Sequence, residues 1–229
     1  MKNKIAVFDI DGTIFRSSLL IEFNKGLMNA GVIPPSEVGE ILNEYYAWVE
    51  RRGSYDAYIG KVISMHSKAI VGKEQSVVNS VASLVFLHHK DRVYRYTRDL
   101  LAELKKDYLL LAISGSPIEM VKPFARYFGF DHIWGTVYEV DANGRYTGKI
   151  VNLQSADKKE EIVKKFIKEN NLSLNDSWGV GDTESDISFL EIVSHPVAFN
   201  PTEKLFITAK KNHWAIKVER KNMTYDIPS

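Results

Sequence analysis

The sequence predicts an α/β protein, in which a parallel sheet with helices on both faces is interrupted by an inserted all-helical cap domain. Three observations lead there. Short apolar runs rich in β-branched and aromatic residues alternate with amphipathic stretches at helical spacing. One long segment keeps helical spacing throughout, with no convincing strand. Acidic, hydroxyl and lysine residues cluster where the apolar runs end, the edge at which open α/β sheets bind ligands.

The first run, Ile5-Ala6-Val7-Phe8, suits a buried parallel strand. From about 17 to 93 the apolar positions recur as on helices, for example Ile41, Leu42, Tyr45, Trp48 and Val49. Gly31, Pro34-Pro35, Gly53 and Gly72 punctuate them. Residues 17–93 therefore read as a helical cap, and 1–16 with 94–229 as the α/β core. Within the core, Leu109 to Ile113 forms the second strand, and a helix opens with Pro117 in its first turn and closes at Gly129. Alternating runs from Trp134 to Val151 flank Asn143-Gly144, a hairpin signal. A helix over Asp157 to Asn171 turns Ile162, Val163, Phe166 and Ile167 to one face. Trp178 to Val180, Val197 to Phe199 and Trp214 to Val218 supply the remaining strands.

Composition narrows the function. Hydrophobic residues make up 45% and charged residues 26% of 229, which excludes disorder as the main state. A net charge of +1 argues against a nucleic-acid binder working by general electrostatics. The absence of cysteine removes disulfides, cysteine metal sites and thiol nucleophiles. The N-terminal apolar run carries Asp9 and makes a poor signal peptide, and no run approaches the roughly 20 residues of a membrane helix. The expected location is cytoplasmic, with no membrane partner.

Four clusters carry the chemistry. In Asp9-Ile10-Asp11-Gly12-Thr13, alternation sends both acids to one side, and Gly12 permits a tight departure. Carboxylates so close need a cation between them or a proton on one. The alternative is an Asp-Gly turn with a spare acid. Ser114-Gly115-Ser116-Pro117 can turn backbone N–H groups toward an anion, or simply cap a helix. Lys158-Lys159 opposes the dipole at a helix start, which makes sense if one lysine reaches a phosphate; otherwise both are surface lysines. In Gly181-Asp182-Thr183-Glu184-Ser185-Asp186 the two aspartates stand one turn apart, as magnesium ligands or as a capped, solvated helix start.

Taken in order, Asp9-x-Asp11-Gly12-Thr13, Ser114, Lys159 and Gly181-Asp182-x-x-x-Asp186 resemble the motifs of the haloacid-dehalogenase superfamily. The tail from Glu191 to Pro201 and the early helical insertion are similar to its phosphoserine-phosphatase-like branch, subfamily IB. The resemblance implies a Rossmann-like core and a Mg2+-dependent phosphatase acting on a small phosphorylated metabolite through a phospho-aspartate. It implies Asp9 as nucleophile and Asp11 as general acid/base. Gly12, Thr13, Ser114, Gly115 and Lys159 would surround the phosphate. Asp9, the carbonyl of Asp11, Asp182 and Asp186 would serve the metal. The same motifs would serve a phosphotransferase passing the group to an alcohol, whereas a dehalogenase would not need Asp11. Ser18 and Val62 stand where phosphoserine phosphatases carry a glutamate and an arginine, which argues against phosphoserine. In the cap, Tyr45, Tyr46, Trp48, Tyr55 and Tyr58 are interleaved with Arg51, Arg52 and Lys61. They form either a small helical core with solvated charges or part of the substrate pocket.

Overall fold

The computed structural model describes residues 2–34, 36, 39–152 and 158–228. Strand β1 (Lys4–Phe8) sends Ala6 and Phe8 into one core and Ile5 and Val7 into another. Strand β2 (Tyr108–Pro117) divides Leu110 and Ala112 from Leu111 and Ile113 in the same way. Burial on both faces explains why these runs are apolar without alternation.

Beside them lie β3 (His132–Val140), β4 (Tyr146–Asn152), β5 (Ser173–Gly181), β6 (His195–Phe199), β7 (Ala215–Arg220) and β8 (Met223–Ile227). Among the described residues the sheet order is β4-β3-β2-β1-β5-β6-β7-β8. From β3 across to β7 neighbouring strands are parallel. Strands β4 and β8 join the two edges antiparallel. The expected parallel sheet is thus present from β3 to β7, and one antiparallel strand extends it at each edge. The β3–β4 hairpin turns at Asn143-Gly144 with Gly144 at φ +74°, as that pair predicts. Strand β8 gives no comparable signal, because it lies on the edge with largely exposed residues.

The helices are α1 (Leu19–Asn29), α2 (Gly39–Val49), α3 (Tyr55–Ala69), α4 (Gln75–His89), α5 (Arg95–Leu104), α6 (Ile118–Phe128), α7 (Lys159–Asn170), α8 (Ile187–Leu190) and α9 (Glu203–Lys211). Gly129 ends α6 in the left-handed region at φ +78°, where glycine costs least. Pro117 sits one position earlier than expected, as the N-cap of α6, because β2 continues through Ser114-Gly115-Ser116 to pair with Thr136. In α7, Ile162, Val163 and Phe166 are buried on the second core. The expected start of this helix at Asp157, and Pro35 of the proline pair, lie outside the described residues.

Helices α1 to α4 fill the interval between β1 and α5. The chain enters and leaves this interval side by side, with the Arg16 N–H donating to the Arg92 carbonyl (3.0 Å) and the Tyr94 N–H to the Ile14 carbonyl (2.9 Å). The β3–β4 hairpin supports α3 from below. The Tyr138 ring meets His66 edge-on at 5.2 Å, and a side chain on Gly148 would strike Val71. Because β1, β2 and β5 are mutually parallel, their C-terminal ends share the edge beneath these helices.

Candidate active site

Asp9 follows the last residue of β1 and is buried, its N–H donating to the Val180 carbonyl of β5 at 3.0 Å. Beyond it the chain folds into a tight turn, in which the N–H groups of Thr13, Ile14 and Phe15 all point to the Ile10 carbonyl. Gly12 is required here for two reasons. Its φ is +80°, and a Cβ at that position would lie 2.0 Å from Oδ2 of Asp182. The turn backbone and the Asp182 carboxylate are thus in close contact, and Thr13 Oγ1 donates to Asp182 Oδ1 at 3.2 Å.

Asp182 follows β5, and the chain then makes a 3₁₀ turn over Glu184–Asp186 before α8. This turn brings Asp186 back beneath the strand end. Its Oδ2 accepts from the N–H groups of Asp182 (2.9 Å) and Thr183 (3.0 Å). Gly181 makes room, since a Cβ there would lie 2.4 Å from that of Asp186. Lys159, the first residue of α7, reaches into the same place. Its Nζ donates to Asp9 Oδ1 at 2.8 Å and to Asp186 Oδ1 at 2.6 Å, with all three side chains buried. Lys158 is exposed, so the structure distinguishes the two lysines.

Asp11 is held apart from this group. Its Oδ1 accepts from the Leu19 N–H at the start of α1, and its Oδ2 from Ser114 Oγ at 2.6 Å. Ser114 Oγ in turn accepts from the Ser116 N–H at 2.9 Å, and Ser116 Oγ accepts from the Leu20 N–H at 3.1 Å. The serine motif at the end of β2 thereby ties Asp11 to the first helix. Gly115 follows Ser114 within the strand, its carbonyl accepting from Thr136 Oγ1 at 2.7 Å.

Burial is the main force on these acids. It lifts the Asp9 pKa to about 8, with the Asp186 and Asp11 charges adding to the rise and Lys159 opposing it. Burial, then Asp9 and Asp186, push Asp182 well above the carboxylate range. Asp11 is also raised by burial, against the hydrogen bonds from Ser114 and Leu19. Burial works against the charge of Lys159, but Asp186 and Asp9 outweigh it and hold its pKa above the usual value.

Asp9, Asp182 and Asp186 each bring a carboxylate oxygen within 4.8 Å of the others. Three hard oxygen donors, two of them carrying pKa values raised first by burial and then by mutual repulsion, fit a small divalent cation such as Mg2+. The carboxylate of Asp11 is not in that group.

A cleft of about 750 Å³ rises from Gly12 and Asp182 between α1, α2 and α3. Tyr45, Trp48, Tyr55 and Tyr58 line it, as does Arg51. Arg52 instead pairs with Glu50 on the surface and faces no part of the cleft. Burial, then the charges of Asp11 and Asp182, raise the Tyr55 pKa. Ser18 caps α1, its Oγ accepting from the Ile21 N–H at 3.4 Å, and Val62 is a buried apolar residue of the wall. Among the lining residues that escape sequence reading are Glu22, Asn24 and Arg92. Glu22 Oε1 accepts from Ser17 Oγ (3.0 Å) and pairs with Lys25 (3.2 Å) and Arg92 (3.1 Å). Burial favours its neutral form, but these partners prevail and hold its pKa below the usual value. The available signal was the i, i+4, i+7 spacing of Ser18, Glu22 and Lys25 along one side of a largely apolar helix.

A haloacid dehalogenase-like hydrolase family profile matches residues 6–191. The chain is 24% identical over 230 residues to a protein named histidinol-phosphatase from Neisseria meningitidis, covering 94% of this chain and 98% of that one. A protein of unknown function from Bordetella pertussis superposes with a TM-score of 0.75 at 20% identity, over 94% of this chain and 98% of that one. A substrate-bound phosphoserine phosphatase superposes with a TM-score of 0.65 at 21% identity, over 97% and 95%. No helix among the described residues is long and apolar enough to cross a membrane.

Proposed function

We propose, from the premise that this chain belongs to the haloacid dehalogenase-like hydrolase family, that it is a Mg2+-dependent phosphatase of small phosphate monoesters. One observation carries the reading. Two aspartates only two residues apart sit in different surroundings, Asp9 against Lys159 and the other acids, Asp11 on Ser114 and the Leu19 N–H. Environments that separate two carboxyls assign them different roles. The name of the Neisseria relative supports a phosphomonoester as substrate.

Asp9 is the nucleophile. Its carboxylate attacks phosphorus as the bond to the leaving oxygen breaks, giving a phospho-aspartate and an alcohol. Asp11, whose pKa burial raises and whose carboxyl Ser114 places, gives a proton to that oxygen, and then takes one from the water that hydrolyses the acyl phosphate. Lys159 offers its charge to the phosphoryl oxygens. Mg2+ held by Asp9 and Asp182, with Asp186 behind them, would keep Asp9 ionised and offset the repulsion between carboxylate and phosphate dianion. Asp186 also positions Lys159 and the backbone of Asp182 and Thr183. Residues 17–93 act as a cap over the core formed by 1–16 and 94–229, excluding water and selecting the leaving group. The paired segments at Ile14–Arg16 and Arg92–Tyr94 support that division.

Phosphate release from p-nitrophenyl phosphate, with Mg2+ and then with excess chelator, tests this function. Release that needs Mg2+ and does not fall when an alcohol acceptor is added is expected. Hydrolysis unaffected by chelator would overturn the metal role. Transfer to the alcohol in place of release would make the protein a phosphotransferase.

A further inference from the structure

One residue lining the cleft above the acids carries an amide N–H with no partner among the described residues. Asn24 lines this cleft from α1 and is 2% exposed. Its Oδ1 lies 2.7 Å from Nδ1 of His66, also buried. Burial lowers the His66 pKa to about 3, so the ring is neutral, and an Nδ1–H donated to Oδ1 fixes the orientation of the amide. No described residue accepts from Asn24 Nδ2. A buried polar group left unpaired costs about 1–3 kcal/mol, so a natural sequence rarely keeps one without a purpose.

The cleft also has an aromatic lining. Trp48 and Tyr58 stack with ring centroids 5.6 Å apart and planes within 6°. Tyr45 and Tyr55 pack against the pair, at 5.4 Å and 5.2 Å. All four line the same cleft as Asn24. The helix supplies a ruler. Leu19, whose N–H holds Asp11, and Asn24 are five positions apart on α1, roughly 7.5 Å along its axis at 1.5 Å per residue. An alcohol leaving Asp11 and extending along α1 thus enters the cleft that the aromatic rings and Asn24 line together.

Resting on the phosphatase reading, we propose that Asn24 is the specificity-determining donor of a leaving-group subsite. This subsite takes phosphate esters whose alcohol carries a planar ring with a hydrogen-bond acceptor. The ring lies against the Trp48–Tyr58 wall, and its acceptor receives the Nδ2–H of Asn24. His66 is a positioning residue that sets which way the amide faces.

The test compares three esters of one length: pyridylethyl phosphate (each ring isomer), phenylethyl phosphate and cyclohexylethyl phosphate. The first two differ only in the acceptor, and the last lacks a planar face. For the wild-type protein, kcat/KM for the best pyridyl isomer is expected about tenfold above phenylethyl, the worth of one hydrogen bond with its unpaired alternative removed. Phenylethyl should exceed cyclohexylethyl. In Asn24→Leu the pyridyl-to-phenyl ratio should collapse to near one. A ratio near one in the wild type, or one that survives the substitution, overturns the proposal. Should Asn24→Leu fail to fold with His66 unpaired, the side-chain amide NMR signal of wild-type Asn24 replaces it. That signal should shift with pyridylethanol and not with phenylethanol; no difference between the alcohols overturns the proposal, the amide then being satisfied by a buried water. p-Nitrophenyl phosphate keeps the two readings separable. If no ester at all is hydrolysed, the phosphatase reading fails; if esters are hydrolysed without a pyridyl preference, only the Asn24 subsite fails.

Discussion

Replacing Lys159 with methionine removes the only cation that touches both Asp9 and Asp186 among the described residues. The hydrocarbon volume is nearly kept, so packing is little changed, and the effect is electrostatic. Breaking a buried ion pair by deleting one partner costs about 3–5 kcal/mol, because the remaining charge has no solvent to compensate it. Here two buried carboxylates lose their partner, which places Lys159→Met at the upper end of that range. For a chain of this size each kcal/mol moves Tm by about 2–4 °C, so a fall of roughly 10–20 °C is expected in chelator. Phosphate release should fall by about 10²–10³-fold, the loss typical for one preorganised charge on the reacting group. Lys158→Met, on an exposed neighbour, should stay within about 0.5 kcal/mol and keep its rate. Thermal melts followed by circular dichroism, with phosphate-release assays on the same samples, measure both. Equal behaviour of the two variants, or the reverse order, would refute the placement of Lys159.

Three further outcomes follow from the geometry. Gly12→Ala should force Asp182 to move, since φ is +80° and the new Cβ would meet Oδ2 at 2.0 Å; a Mg2+ activation curve displaced at least tenfold is expected, and an unchanged curve would count against Asp182 as a ligand. His66 has its folded pKa depressed from 6.5 to about 3, so the unfolded chain binds the extra proton first as pH falls. Its contribution to stability is complete above about pH 6.5 and declines toward pH 3 by up to about 1.4 kcal/mol per pH unit. Denaturant titrations across that window should show His66→Phe losing this part of the slope, and an identical slope would contradict a neutral buried ring. Arg51 lines the cleft and Arg52 pairs with Glu50 outside it, so Arg51→Ala should raise KM for the best natural ester several-fold, and Arg52→Ala should not; steady-state kinetics on purified variants would show whether that asymmetry is absent.

The parts of this molecule legible in the sequence are those where a physical demand leaves one residue type. Burial on both faces demands the unbroken apolar runs of β1 and β2, and both appear at their expected places. The left-handed positions at Gly129 and Gly144 likewise announce a helix end and a hairpin. Edge strand β8 carries no such demand and passes unseen. In the site, Asp9, Lys159, Asp182 and Asp186 converge because strand ends and a helix start deliver them to one edge, a topological fact that spacing alone suggests. What spacing could not supply is direction. That Ser114 turns to Asp11, and that Arg51 faces the cleft while Arg52 turns away, depends on side-chain geometry set by packing. Asn24 was hidden for the same reason, since one asparagine in a helix is ordinary until its burial and its unused N–H are known.

The central claim is that Asp9 carries the phosphoryl group, and trapping the covalent intermediate tests it most directly. Protein turning over p-nitrophenyl phosphate with Mg2+ is quenched in acid, reduced with borohydride and mapped by peptide mass spectrometry. An aspartyl phosphate is reduced to homoserine, and the account predicts that change at position 9 alone, absent without substrate and absent in Asp9→Asn. Reduction at Asp11, or turnover with no reducible residue in the chain, would contradict it.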